Sequence, residues 1–345
     1  MHLDNPAQLS FKEDIFRQAL QRIAHIGDPP PVRLHQSPAR YGYRFRARLQ
    51  IKGADAGFYK RQTSDIISWD TCMQLPETLN VAVKVLRKIL RGDDSSGWLS
   101  VCETAASPVN GAVTFHWHLD KGKGSRDRAN GIFDRAEELT ALENISLAGQ
   151  TADDRKGRAI ASRGGSLILN VKGASLRASP GTFFQVNPGV NEVLVERVLS
   201  HLASAGAGSL LDLYCGNGNF SLPAADSGIK TFGVESSGKA ISDALGAAGP
   251  ESGFVEEDVT VFLSRDEGSY DAVIVDPPRT GLPPEAAAIL GVKRPRTLLY
   301  VSCEPSTLAR DLARFIGYGF TVTGMELFDM FPQTSHMEAL VVMQG

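Results

Sequence analysis

Apolar and polar positions follow two different patterns along the chain, and the change falls near residue 180. In the first part, Phe11–Ile26 places Ile15, Ala19, Ile23 and Ile26 on one helical face, and Gly27 with the Pro29–Pro31 run stops that helix. Tyr41–Tyr59 reads as strands with a bend near Gly53, and Arg44, Arg46 and Arg48 alternate along it. Pro76–Arg91 predicts a second amphipathic helix, with Leu79, Val83, Leu86 and Leu90 at helical spacing. Strands are expected near Trp98–Glu103, Val113–Leu119 and Ser166–Lys172, and a helix over Phe133–Leu147. The charged, glycine-bearing stretches Lys121–Arg128 and Asp153–Arg163 are expected as exposed loops.

From about Gly181 onward, short apolar runs alternate with helical stretches. The runs are Ser209–Tyr214, Thr231–Glu235, Asp271–Val275, Thr297–Ser302, Val322–Phe328 and Ala339–Met343; helices fit between most of them, such as Gly238–Ala248 and Pro305–Gly317. Buried apolar strands separated by helices imply an α/β fold with a doubly wound, mostly parallel, Rossmann-like sheet. The expected division is residues 1–180 as an N-terminal α+β substrate-binding region and 181–345 as the α/β domain.

Charge sharpens that division. Residues 1–180 hold 26 Lys+Arg against 19 Asp+Glu, whereas 181–345 hold 10 against 20. A basic front half suits a polyanion, although surface charge also varies between domains for no functional reason. No apolar run reaches the roughly 18 residues that a membrane helix needs, and Met1–Ser10 is polar, so the expected compartment is the cytoplasm. The four cysteines, Cys72, Cys102, Cys215 and Cys303, form no CxxC pair, which argues against a disulfide framework or a zinc site; no metal is expected.

An open parallel sheet places its ligands at the carboxyl ends of its strands, and the candidate chemistry lies there. In LLDLYCGNGNF (Leu210–Phe220), Gly216 and Gly218 allow a tight turn, and the helix after Asn219 offers backbone N–H groups to a negative group. Glu235 ends the next strand about 20 residues on, where a carboxylate can accept hydrogen bonds from ribose hydroxyls. The fingerprint is GxGxF, not the GxGxxG of dinucleotide binders. Asp276 ends a strand ahead of Pro277, Pro278 and Arg279. Cys303 ends another, just before Pro305 opens a helix whose dipole would stabilise a thiolate; a buried, inert cysteine is the plainer alternative. Glu338 opens the last strand, as a base or as a salt-bridged strand end.

Taken together, FFQVN (Phe183–Asn187), DLYCGNGNFSL (Asp212–Leu222), VDPPRTGL (Val275–Leu282), VSCEPSTLARDL (Val301–Leu312) and LFDMFPQTSHME (Leu327–Glu338) closely resemble the RNA uracil-5-methyltransferase family. A weaker likeness covers YRFRARLQI and GFYKRQTSDIISWDTC, the latter Gly57–Cys72. The resemblance implies S-adenosylmethionine held by Gln185, Tyr214, Gly216, Asn219, Glu235 and Asp276, with Cys303 as nucleophile and Glu338 as base. It implies a uridine of structured RNA, rRNA or tRNA, as substrate, and a monomer is expected.

The chain departs from that family in one respect. Many members carry a small RNA-binding barrel and three clustered cysteines ahead of the matched region, which hold an iron–sulfur cluster with a fourth. Cys72 matches the fourth position as an orphan, and Met1–His2–Leu3 falls about where the sequence after the other three would be. A natural short form and a truncated start both fit. No cluster is expected, since one cysteine cannot hold it. Cys102 and Cys215 are expected as buried thiols. Two rival readings remain: a methyltransferase of the same fold acting on another substrate, independent of Cys303, and a non-catalytic RNA-binding relative.

Overall fold

In the computed structural model, residues 4–27, 29–60, 62–92, 97–120, 125–154 and 157–345 are described. The chain divides into two compact units: Met1–Arg40 with Val171–Leu176 and Asn187–Gly345, and Tyr41–Asn170 with Arg177–Val186. This differs from the expected split at 180/181. The cause is non-local pairing at the start of the chain. Helix α1 (Asn5–Arg22) sinks Phe16 and Leu20 into the core of the C-terminal α/β unit, and strand β1 (Val32–His35) pairs parallel with a strand ending in Phe328. The helix also begins and ends earlier than the pattern predicts. Asp4 caps it by accepting from Ala7 N at 2.9 Å, and Pro6 suits its first turn.

The second unit contains β2 (Arg46–Lys52), β3 (Asp55–Tyr59), β4 (Ile66–Ile67), α2 (Glu77–Gly92), β5 (Leu99–Ala106), β6 (Val113–Leu119), α3 (Arg126–Leu142), β7 (Leu147–Asp154) and β8 (Ala159–Gly164). Its sheet runs β4-β3-β2-β5-β6-β7-β8, antiparallel except for β6–β7, which α3 connects. Helix α2 buries Leu79, Val83, Leu86 and Leu90, as its spacing predicts, in a core with Phe115, Trp117 and Phe133. Two expectations are corrected. Ser125 accepts from Arg128 N and starts α3 inside the predicted Lys121–Arg128 loop, and β8 occupies much of the predicted Asp153–Arg163 loop. The charged residues there are accommodated by pairing, Asp153 with His116 and Arg163 with Asp134 and Glu137 of α3. Residues 121–124 and 155–156 of those stretches lie outside the described residues.

A hairpin of β9 (Leu167–Val171) and β10 (Ala174–Ala178) leads into the α/β unit. There follow α4 (Pro188–Ser204), β11 (Ser209–Leu213), α5 (Ser221–Asp226), β12 (Lys230–Glu235), α6 (Gly238–Leu245), β13 (Ser252–Glu256), α7 (Val259–Arg265), β14 (Ala272–Val275), α8 (Pro284–Lys293), β15 (Thr297–Ser302), α9 (Pro305–Gly317), β16 (Thr321–Phe328) and β17 (Glu338–Gln344). The sheet order is β1-β16-β17-β15-β14-β11-β12-β13, and only β17 runs against the rest. Every residue of β14 and β15 is buried, which is why these strands read as continuous apolar runs. Buried Glu326 on β16 ties β1 and α4 to the sheet, pairing with His35 at 2.6 Å, His201 at 2.6 Å and Arg197 Nε at 2.8 Å. No described helix is long and apolar enough to cross a membrane.

Candidate active site

Strand register brings the candidate residues of the α/β unit to one edge. Leu213 pairs with Val234 on one side and Val275 on the other, so the next positions, Tyr214, Glu235 and Asp276, lie in a row at the carboxyl ends of β11, β12 and β14. Antiparallel β17 enters beside β15 with Ser302 opposite Ala339, which brings Cys303 and Glu338, the next residues, to the same end of the ladder.

The turn after β11 is built by backbone geometry. Tyr214 takes a left-handed conformation (φ 63°), and Tyr214 N and Cys215 N both donate to Val234 O. Gly216 (φ 55°) and Gly218 (φ 87°) complete the turn, and a Cβ at Gly216 would meet nothing within 4 Å. Asp212, fully buried, accepts from Ser221 N at 3.1 Å and Ser221 Oγ at 2.5 Å. That bond corrects one expectation: α5 has only six residues, and its first N–H is spent on Asp212, not offered to an anion. Asn219 exchanges a reciprocal amide pair with Asn191 of α4, at 2.7 and 3.1 Å, so its side chain fastens the turn to α4. Cys215 is buried against Gly233, where a Cβ would come within 2.7 Å of its sulfur; Cys102 is buried too.

Glu235 is oriented by Ser237 N at 2.8 Å and Ser236 Oγ at 3.2 Å, both on one carboxylate oxygen. Asp276 accepts no hydrogen bond from the described residues. Burial pushes its carboxyl up to about 7, with repulsion from Asp212 and Glu235 adding to the rise. Burial likewise lifts Asp212 to about 7. Two buried acids and the half-buried Glu235 thus share one edge of the sheet. Such an edge repels the phosphates of a dinucleotide and suits a ligand that brings hydroxyl donors and positive charge, and a nucleoside sulfonium has both.

At the β15–β17 end, burial pushes the half-buried Cys303 thiol up to about 11; Glu338 and Asp276 add to this and Arg279 opposes it. The thiolate stabilisation expected from the α9 dipole is therefore outweighed by burial and by a facing carboxyl. Glu338 is buried, and burial and Asp276 raise its carboxyl well above the usual range while Arg279 pulls it down. Arg279, to which the sequence reading gave no role, is the cation that acts on both groups. Its positive charge favours the thiolate form of Cys303 and opposes the effect of burial there. Helix α9 holds its loop: Thr307 Oγ1 donates to Arg279 O at 3.0 Å, Arg310 to Thr280 O at 2.9 Å, and Leu282 N to buried Asp311 at 2.8 Å. The spacing of Thr307 three and four residues before Arg310 and Asp311, which puts all three on one side of α9, was the available signal.

Gln185 belongs to the other unit, where it is buried in the segment after β10; Val186 O there accepts from Phe45 N at 2.8 Å. Cys72 is also in that unit, half-buried, with its backbone N–H donating to Asn80 Oδ1 at 2.8 Å.

Comparison with known proteins places this arrangement among relatives. A family model described as tRNA (Uracil-5-)-methyltransferase matches residues 4–248 and 263–345. A 23S rRNA (uracil(1939)-C(5))-methyltransferase RlmD of Paraburkholderia xenovorans is 30% identical, over 99% of this chain and 76% of its own. The RlmD of Shewanella piezotolerans is 29% identical, over 99% of this chain and 78% of its own. The fold matches the crystal structure of Pyrococcus abyssi tRNA (uracil-54, C5)-methyltransferase in complex with S-adenosyl-L-homocysteine, with TM-score 0.75, 23% identity and coverage of 99% of this chain and 84% of that one.

Proposed function

The chain belongs to the tRNA (uracil-5-)methyltransferase family, and from that premise we propose that it methylates carbon 5 of a uridine in rRNA or tRNA, with S-adenosylmethionine as donor and Cys303 as covalent nucleophile. The observation that carries the reading is the Cys303–Glu338 pair beside the acidic edge of the sheet. The two relatives described above are named as 23S rRNA enzymes, so ribosomal RNA is the first substrate to test.

Glu235 would take the ribose hydroxyls, Asp276 the donors of the base, and Tyr214 and Gly216 would line the pocket wall; Asn219 acts by holding the turn. Gln185 is proposed as a further cofactor contact. When bound, S-adenosylmethionine supplies an electrophilic methyl group and a positive charge, which favours the thiolate form of a neighbouring cysteine.

Carbon 5 of uracil is too weak a nucleophile to accept that methyl group unaided. The Cys303 thiolate adds to carbon 6; the 5,6 double-bond pair moves to form an enolate, and carbon 5 becomes nucleophilic. Arg279 supplies positive charge beside the sulfur. After carbon 5 has been methylated, the Glu338 carboxylate removes the proton remaining there. The electron pair re-forms the double bond and the carbon–sulfur bond breaks, which releases the thiolate. A carboxyl raised by burial suits that step, because its carboxylate is a stronger base than one in water. The target uridine must be unstacked to reach the thiol.

RNA carrying 5-fluorouridine tests the reading, since fluorine at carbon 5 cannot leave as a proton and traps the adduct. The wild-type protein should form a covalent RNA complex that survives denaturation, and Cys303→Ala should form none and methylate nothing. Methylation by Cys303→Ala would sink the mechanism.

A further inference from the structure

We infer that Lys12 is a positioning residue for Glu338. The inference rests on the reading of Glu338 as the base. Strand β16 ends at Phe328 and β17 begins at Glu338, so residues 329–337 deliver the carboxyl to the site. That connection contains no helix or strand. An irregular segment is expensive to hold in one conformation, because each ordered residue loses backbone entropy.

Side chains of α1 hold it. Lys12 Nζ donates to Asp329 Oδ1 at 2.5 Å and to Phe331 O at 3.1 Å, and the pair is 1% and 2% exposed. Gln8 accepts from Gln333 N at 3.1 Å and donates to Gln333 Oε1 at 3.3 Å. Gln333 sits at φ 64°, a conformation that a residue with a side chain keeps only when its surroundings enforce it. From the other side, Asn187 Nδ2 donates to Met330 O at 3.2 Å and Asp329 N to His35 O at 2.9 Å.

Packing alone does not explain a lysine here. Its neighbours on α1, Phe16 and Leu20, are core apolar residues, and burial works against the ammonium while only Asp329 opposes that effect. A methionine would fill the space without desolvating a charge. What the ammonium adds is direction: it ties a side chain and a carbonyl two residues apart to one point, and so admits a single path of the loop into β17. A buried ion pair contributes such specificity more readily than stability. Catalytic groups need placement to within about 0.5 Å, and the clamped residues, Asp329 to Gln333, begin the connection that ends at Glu338.

The experiment uses the full chain with Lys12→Met, and with Gln8→Ala as a milder variant should Lys12→Met fail to fold. Three readouts are compared with wild type: affinity for S-adenosylhomocysteine, rate of adduct formation on 5-fluorouridine RNA, and turnover on uridine RNA with denaturing gels of the reaction mixture. The inference expects the first two within about twofold of wild type, turnover down at least about tenfold, and a methylated, Cys303-linked RNA species accumulating on uridine RNA, since only proton removal is impaired. Gln8→Ala should show the same partition more weakly. Adduct formation and turnover falling in equal proportion would overturn it, as would a lowered melting temperature with turnover intact. If wild type itself forms no adduct, the reading of Cys303 has failed, and Lys12 falls with it.

Discussion

Cys303 and Glu338 each stand one residue beyond the Ser302–Ala339 pair that ends the antiparallel β15–β17 ladder, and the Glu338 carboxyl raises the Cys303 thiol. Two ionisable groups brought together this way cannot both be charged at little cost. Burial raises both groups; Glu338 adds to the rise at Cys303, Asp276 adds to the rise at Glu338, and Arg279 opposes both.

That arrangement sets the pH dependence of thiol reactivity. With the Cys303 thiol pushed up to about 11, iodoacetamide labelling of Cys303 should rise about tenfold per pH unit below that value, because only the thiolate reacts. Arg279→Met removes the opposing cation and should slow labelling at every pH below 11. Peptide mass spectrometry of timed samples reads both effects, and equal rates in wild type and Arg279→Met would exclude the proposed contact.

Glu338→Gln keeps the shape of the site and removes the base. Turnover on uridine RNA should fall by about 10²–10⁴, while adduct formation with 5-fluorouridine RNA persists. Loss of both together would move Glu338 out of the base role.

The two glycines of the turn should respond differently to alanine. Gly218→Ala meets Leu222 side-chain atoms at 2.8 Å at φ 87° and should cost about 1–3 kcal/mol of stability. Gly216→Ala points into open space at φ 55°, with a backbone penalty of about 1–2 kcal/mol. Its larger effect should be on affinity for S-adenosylhomocysteine, measured by calorimetry beside the melting temperatures of both variants.

Two buried carboxyls give opposite pH signatures in stability. Asp212 is raised to about 7 by burial, so its contribution is fully present below the unfolded value near 4 and is lost as pH rises towards 7. Asp212→Asn should therefore gain stability relative to wild type between about pH 4 and pH 7. Burial also works against Glu326, but hydrogen bonds from His201, His35 and Arg197 outweigh it and hold the carboxyl far below its usual range. Its contribution is present above the unfolded value and is lost as pH falls, so Glu326→Gln should be most destabilising at neutral pH. Urea titrations of the two variants at several pH values check both signs.

The strands of the α/β unit were legible in the sequence because burial on both faces writes continuous apolar runs, as in Ala272–Val275 and Thr297–Ser302, and because glycine or proline follows most of them. Pro305 marked the start of α9 for the same kind of local reason. Glu235, Asp276, Cys303 and Glu338 could be picked out because each stands at a strand end that local pattern locates. What only the tertiary structure decided depends on partners distant in sequence. The membership of α1 and β1 in the α/β unit follows from β1 pairing with β16. Asn219 turns to Asn191, Arg279 reaches Cys303, and Lys12 reaches Asp329 across 317 residues. A lysine inside an amphipathic pattern reads as a solvated position, since the pattern records the period of a helix and not what lies opposite its polar face. Hydrophobic periodicity is a local property of the chain, whereas the pairing of charges is settled only when the strands have been set side by side.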